Sequence, residues 1–371
     1  MMESLQQQWL NFWSDRYRAG LFFLLIFLAF FSVYALNPTI EGDSLLYVNS
    51  IEVLKGNPPV PDFIPMMILS TYLGLKLIML LNLLTSNIAV SWVLLNGSMF
   101  LMMGLFFYAL LKRMFNDRQV AFIGTLFLAT NYGAVSFGMA YMMDIGGWAF
   151  YIASLYFIYR YLESDMGGEK WLYLSAAMIG VGGLYKEYAF VACVVVAGVI
   201  MFKYWGQWWQ IVMKGIFTAL LALGPFLVMN IYTFVNFDHY TYLDWFAHNQ
   251  NSYIYQNRVV EFIKSFGSIY NFAWLLFVGG FYLLLKRSKD IFEDKNILFI
   301  WLTVLSCSAI ILWPVVTRVL FITMPAVILV SGLLIQKINR KILIIGPILA
   351  CYIVANYLMD AYILELVNLP F

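Results

Sequence analysis

The stretch NPTIEGDSLLYVNSIEVLKG, residues 37–56, follows the first long apolar segment, and its reading decides how the rest of the chain is arranged. It carries Glu41, Asp43 and Glu52 in a protein of which only 11% is charged, so its acidity needs a reason. Carboxylates beside a bilayer are costly and are seldom kept without a use. As a helix, the stretch puts Asp43, Tyr47 and Ser50 on one face at spacings of four and three, and leaves Leu46, Val53 and Leu54 to rest on lipid. We read it as a helix lying along the membrane surface and presenting a carboxylate.

The surrounding composition fixes the class as all-α and polytopic. Hydrophobic residues make up 63% of the 371 positions and include 32 Phe, 25 Tyr and 12 Trp, with a mean hydropathy of +0.81, far outside the soluble range. A net charge of +2 spread along the chain is too small to indicate a nucleic-acid partner, and none is expected. Cys193, Cys307 and Cys351 lie in apolar segments without a CxxC or Cys/His pattern, which reads as small buried hydrophobes rather than disulfides or a metal knuckle. Without a repeat or a linker, residues 1–371 form a single membrane domain.

Charge sets the topology. Arg16 and Arg18 precede the first apolar run, which places the N-terminus in the cytoplasm. If residues 65–84 crossed next, Lys112, Arg113 and Arg118 would face outward, against the positive-inside bias. The Pro-rich NPPVPDFIP and the internal Lys76 also weaken that segment as a span. The expectation is therefore a first outer loop over 37–87 with two membrane-hugging helices. Later spans are expected near 88–111, 120–137, 144–162, 171–185, 188–202, 211–235, 269–285, 297–316, 319–335 and 342–362, for a total of about eleven at roughly 20 residues each. Lys170, Lys203, Lys214, Lys286, Arg287, Lys289, Lys337, Arg340 and Lys341 then fall at cytoplasmic ends. Asp43, Asp144, Lys186, Glu187, Arg258, Lys264 and Arg318 are left outside.

Four further stretches carry candidate chemistry. MAYMMDIGGWAF (139–150) sets Asp144 at the outer mouth of a span, before small residues that permit close helix approach; a plain helix N-cap is the simpler role for it. GLYKEYAF (183–190) breaks an apolar hairpin with Lys186 and Glu187, which form either a solvated turn or a phosphate contact. The long outer loop over 236–267 holds His239, Tyr242, His248 and Arg258 among aromatic rings that suit sugar stacking; its two histidines define no metal site. WPVVTRVLFITMP (313–325) offers Arg318 for paired hydrogen bonds to a phosphate, with snorkelling to headgroups as the structural alternative.

Taken together, Asp43, Tyr47 and Gly56 in the first loop, Asp144, the Leu-x-Lys element Leu184 to Lys186, and the late Arg318 before Pro325 resemble the GT-C class of membrane glycosyltransferases. That class includes protein O-mannosyltransferases and lipid A aminoarabinose transferases. The resemblance implies a GT-C-like helical fold and transfer of a sugar from a polyprenyl-phosphate-linked donor to a lipid, polysaccharide or protein acceptor, with inversion, at the extracytoplasmic face of a bacterial plasma membrane. It implies Asp43 as base with Glu41 as competitor, and Asp144 as a second carboxylate holding a sugar or a divalent metal. Lys186 and Arg318 would hold the donor phosphate, with Tyr47, Glu187, His239, Tyr242, His248 and Arg258 toward substrate. A transporter or flippase of lipid-linked sugars is a competing class, although charges clustered at one face favour surface chemistry. A non-catalytic scaffold would leave Asp43, Asp144 and Arg318 far apart.

Overall fold

The computed structural model describes residues 14–61, 63–164, 168–252, 258–312 and 317–359. All regular elements among them are helical: α1 (Arg16–Leu36), α2 (Asp43–Leu54), α3 (Pro65–Thr85), α4 (Ile88–Phe115), α5 (Arg118–Ala129), α6 (Asp144–Glu163), α7 (Glu169–Gly183), α8 (Ala192–Lys203), α9 (Trp208–Asn236), α10 (Tyr242–Ser252), α11 (Arg258–Tyr270), α12 (Ala273–Arg287), α13 (Lys295–Ser306), α14 (Met324–Lys337) and α15 (Lys341–Leu358). Short polar pairs punctuate the apolar runs. Ser86 and Asn116 end α3 and α4 in the left-handed region, and Asn87 and Asp117 then cap α4 and α5 by accepting from free backbone N–H groups. Asp15 and Asp294 cap α1 and α13 in the same way.

The stretches Arg16–Ala35, Pro65–Thr85, Ile88–Phe115, Trp208–Asn236, Arg318–Lys337 and Lys341–Leu358 are long and apolar enough to cross a membrane. The chain is an integral membrane protein. At the centre stands α6, buried along nearly its whole length and packed by α4, α7 and α8.

The bundle has two chemically distinct ends. At one, Asp15 accepts from Lys112 Nζ at 2.6 Å and Tyr108 Oη at 3.1 Å, Arg113 pairs with Glu163, Lys341 lies 3.1 Å from Asp117, and Lys203 Nζ donates to the carbonyls of Tyr161 and Ser164 at 2.6 Å. At the other lie Asp43, Asp144, Lys186 and Arg318. Lys112, Arg113, Lys203 and Lys341 thus share one end, and Asp43, Asp144, Lys186 and Arg318 the other.

Although α3 is as long as a span, its partners from start to finish belong to the Asp43 end. Phe63, just before it, meets Phe237 at 5.5 Å between ring centroids; Tyr72 meets Tyr232 at 6.3 Å; Thr85 Oγ1 lies 2.7 Å from Ser91 Oγ. A kink at Thr71, with φ −132° and ψ 18°, interrupts the helix, and the Leu73 N–H donates at 2.9 Å to the carbonyl of Leu184, two residues before Lys186. The kink bends α3 over the mouth and fastens it to the Lys186 hairpin.

Helix α2 is too short to hold its shape alone. It is ordered by Tyr47 and Ile51, both buried, which join Met66, Leu69, Leu75, Trp92, Met143 and Tyr185 in a second apolar cluster over the mouth. Burying each such side chain is worth about 1.5–3 kcal/mol where the alternative is water. The expected lipid-facing set needs correction: Val53 and Leu54 pack on this cluster, and Leu45, 50% exposed, is the outward apolar residue.

Several expected spans are interrupted near the same end. The run over 120–137 is α-helical only to Ala129 and then becomes a π-helix at Gly133–Phe137. The cause is Asn131, whose Oδ1 accepts from the Gly133 N–H at 2.8 Å while its Nδ2 donates to Ile269 O and Tyr352 Oη at 2.6 Å, diverting the backbone from the α pattern. The run over 188–202 opens with a 3₁₀ turn, Glu187–Val191, and that over 319–335 with the helical turn Thr317–Leu320 and a 3₁₀ turn, Phe321–Thr323, before Pro325 in the first turn of α14.

Candidate active site

Gly42 makes the turn that presents Asp43. Its φ of +54° lies in the region that favours glycine, and Asp43 follows as the first residue of α2. Ser44 Oγ donates to Glu41 O and accepts from the Glu41 N–H, both at 2.7 Å, which locks the turn. Asp43 Oδ2 accepts from Arg318 Nη1 at 2.6 Å. Glu41 is exposed, and its backbone rather than its carboxylate takes part in the Ser44 lock. The geometry thus separates two carboxylates that are adjacent candidates in sequence.

Lys186 is held by the close approach of its hairpin to α6. A Cβ on Gly147 would stand 2.6 Å from Lys186 Cβ and 3.3 Å from its carbonyl oxygen, so only glycine fits there without displacement. The Lys186 N–H donates to Gly182 O at 2.7 Å, and its Nζ donates to Tyr47 Oη at 3.3 Å. The ammonium sits 5.9 Å from the Tyr47 ring centroid and 5.8 Å from that of Tyr188, within cation–π range of both. Lys186 and Glu187 are both buried, which rules out the solvated-turn reading.

Asp144 is the first residue of α6 and is fully buried. The N-cap position is taken by Met143, and neither carboxylate oxygen of Asp144 has a hydrogen-bond partner. The simple capping role is therefore not the one it plays. It lies close enough to Lys186, Arg318, Tyr47 and Tyr188 to act on all four electrostatically. Tyr188 was not singled out in the sequence; its ring stacks on Trp148, with centroids 6.1 Å apart, and Trp148 rests on Phe321 at 4.2 Å, three residues beyond Arg318. The signal for it was an aromatic residue directly after the Lys–Glu pair.

The electrostatics follow from this packing. Burial raises the pKa of Asp43, but the Arg318 guanidinium, by charge and hydrogen bond, and Lys186 outweigh it and hold the carboxyl below its ordinary range. Burial pulls the Lys186 ammonium down, but Glu187, Tyr47 and Asp144 reverse this and leave it well above the ordinary lysine value. The site therefore offers two cations, Lys186 and Arg318, with Asp43 paired to Arg318 and two further buried carboxylates, Asp144 and Glu187, that keep unpartnered oxygens. Among the described residues no three His, Cys, Asp or Glu side chains are grouped to hold a metal ion, and Asp43 is engaged by Arg318. Asp43 and Asp144 alone do not make the ligand set a resident metal requires.

His239 is exposed, in the left-handed region at φ +62°, with its ring on Phe234 at 4.6 Å. The Tyr242 N–H donates to Asn230 Oδ1 at 3.0 Å and its ring packs on Phe226, so this residue serves the packing of α10 on α9. His248 and Arg258 lie on α10 and α11, with side chains outside those described.

With this geometry in hand, comparison with known proteins is informative. Residues 70–246, just under half of the chain, match the family model described as dolichyl-phosphate-mannose-protein mannosyltransferase. No curated protein matches the sequence significantly. Among solved structures, that of ArnT from Cupriavidus metallidurans bound to undecaprenyl phosphate is similar over 90% of this chain, with a TM-score of 0.58 and 13% identity. The chain has the GT-C fold. It spans 63% of the length of that ArnT chain. Within the GT-C fold seen here, the family match contains Asp144, Lys186 and Glu187, while Asp43, Tyr47 and Arg318 lie outside its bounds and are brought in by the fold.

Proposed function

We propose that the protein is a glycosyltransferase that moves a sugar from a polyprenyl-phosphate carrier to an acceptor hydroxyl at the membrane surface. The observation that carries this reading is the convergence of Asp43, Arg318, Lys186 and Asp144, from four separate parts of the chain, on one mouth of the bundle. A scaffold would have no need of that convergence.

In the proposed reaction the donor's phosphate sits between Arg318, which can form paired hydrogen bonds, and Lys186, a point charge. Arg318 turning to the phosphate releases Asp43. The Asp43 carboxylate takes the proton of the acceptor hydroxyl, whose oxygen attacks the anomeric carbon from the side opposite the phosphate. The bond from that carbon to the phosphate oxygen breaks, the phosphate leaves with the electron pair, and the two cations stabilise its developing charge. A single displacement inverts the anomeric centre. Asp144, open and buried, receives hydroxyls of the bound sugar. The acceptor is a lipid, glycan or protein.

The membrane disposition belongs to the same proposal: the site faces the extracytoplasmic side of a bacterial plasma membrane, and α2 and α3 lie at that surface. The support is the collection of Lys112, Arg113, Lys203 and Lys341 at the opposite end, as the positive-inside bias requires. The experiment is transfer of radiolabelled sugar from polyprenyl-phosphate donors by the purified protein in bicelles, wild type against Asp43→Asn. Turnover lost in the variant with polyprenyl-phosphate binding retained supports the proposal; equal turnover in both removes Asp43 as base.

A further inference from the structure

Asp144 is unusual in being fully buried and unpartnered beside two cations, and what keeps it so lies on α4. Asn96, 1% exposed, donates from Nδ2 to Ala140 O at 2.7 Å and to Met142 O at 3.1 Å. Trp92, one turn earlier and fully buried, donates from Nε1 to the same Met142 carbonyl at 3.2 Å. The Met142 N–H closes the turn on Ala140 O at 2.8 Å. These carbonyls belong to the segment between the π-helix and Asp144.

From this geometry we infer that Asn96 is a positioning residue for Asp144, assisted by Trp92, within the transfer reaction proposed above. The Ala140 and Met142 carbonyls that lead into α6 are turned toward α4. Carbonyls turned inward there need donors, and each left without one costs about 1–3 kcal/mol. Asn96 and Trp92 provide them from a rigid neighbouring helix. On the other side of Asp144, Gly147 seats α6 against Lys186. With the backbone fixed before and after it, Asp144 cannot swing onto Lys186 or Arg318, and its oxygens remain free for the sugar. The amide of Asn96 is kept for its donors: its Oδ1 is buried with no partner, a cost that an apolar residue would avoid. Trp92 also touches the other half of the site, meeting the Tyr47 ring edge-on at 5.9 Å, so one side chain sets the Asp144 turn and supports the Tyr47 that accepts from Lys186.

The test is a kinetic cycle in bicelles with a radiolabelled polyprenyl-phosphate sugar, using Asn96→Ala, Asp144→Glu and the double variant, each checked for a cooperative melting transition above the assay temperature. Asn96→Ala is expected to lower kcat on the order of 10- to 100-fold with the donor KM moved by less than about twofold, because Lys186 and Arg318 still hold the phosphate. Combined with Asp144→Glu it should add little, since both act at one carboxylate. If Asn96→Ala does not fold, Trp92→Phe runs the same cycle, keeping the ring on Tyr47 and losing only the Nε1 donor. Losses that multiply, a loss confined to KM, or wild-type kcat in Asn96→Ala would overturn the inference while wild-type turnover leaves the transferase reading standing. A wild-type protein that transfers no sugar from any polyprenyl-phosphate donor overturns both.

Discussion

Arg318 Nη1 and Asp43 Oδ2 stand 2.6 Å apart although 275 residues separate them in the chain, and this bond closes the mouth of the bundle. It joins the turn before α14 to the first residue of α2, so the candidate base and a candidate phosphate ligand are each other's partner in the resting protein. In the proposed reaction, donor binding exchanges one anion for another at Arg318 and so couples arrival of the phosphate to release of the carboxylate.

Arg318→Gln is accordingly expected to weaken the donor and slow transfer together. A hydrogen bond to a charged group is worth about 1.5–3 kcal/mol, which converts to roughly a 10- to 150-fold fall in kcat/KM. Arg318→Lys should recover only part of this, because an ammonium cannot offer two parallel donors to a phosphate. Steady-state kinetics with a polyprenyl-phosphate sugar distinguish the two variants, and equal rates for Gln and Arg would exclude Arg318 from the phosphate site.

The same pair predicts an acid response. Since Asp43 in the folded protein is held below its ordinary value of 3.8, its contribution to stability is complete above that value and is lost as pH falls through the lower folded value. Asp15 and Asp117 are lowered as well, so the whole protein loses stability in acid for several reasons. The share of Asp43 is isolated by comparing wild type with Asp43→Asn: melting temperatures should differ by a constant amount from pH 7 down to about 5 and converge below 3.8. A difference that instead grew in acid would contradict the direction assigned here.

How far the site was legible in advance depended on the kind of constraint. Asp43, Asp144, Lys186 and Arg318 stood out because ionisable side chains at the ends of apolar runs are expensive, and the positive-inside bias gave each a side. Periodicity could not show that Glu41 turns outward, because that depends on the left-handed turn at Gly42 and the Ser44 lock. Nor could it show that Tyr242 serves packing, which only the position of Asn230 and Phe226 reveals. Asn131 and Thr71 were invisible for the same reason: a polar side chain inside an apolar run diverts the helix only where tertiary partners hold the diverted geometry, Tyr352 accepting from the Asn131 amide in one case and the Leu184 carbonyl accepting the Leu73 N–H in the other.

Tyr47→Phe separates the positioning of Lys186 from its charge. The Tyr47 hydroxyl accepts from Lys186 at 3.3 Å, and its removal takes one long charge-assisted hydrogen bond from the ammonium, which stays on its two rings. Donor affinity is expected to fall a few-fold, against a loss of tenfold or more for Lys186→Met, where the phosphate loses a full charge. Binding of polyprenyl phosphate measured by competition reports both, and Lys186→Met with wild-type affinity would remove Lys186 from the site.

Gly147→Ala tests whether close approach of α6 and the hairpin, rather than Lys186 alone, builds the site. The added Cβ meets Lys186 Cβ at 2.6 Å, and the obstruction is the root of the side chain and its backbone rather than a flexible tip. Overpacking of this kind costs about 1–3 kcal/mol, so the melting temperature should drop. The displacement is directed at Lys186, which must shift away from α6 and Tyr47, so donor affinity should fall as well. Gly97→Ala supplies the contrast, since no atom lies within 4 Å of the Cβ it would carry; it should leave affinity unchanged and hold or raise stability, by up to about 1 kcal/mol of helix propensity. Equal behaviour of the two variants would mean that the spacing between α6 and the hairpin does not set the position of Lys186.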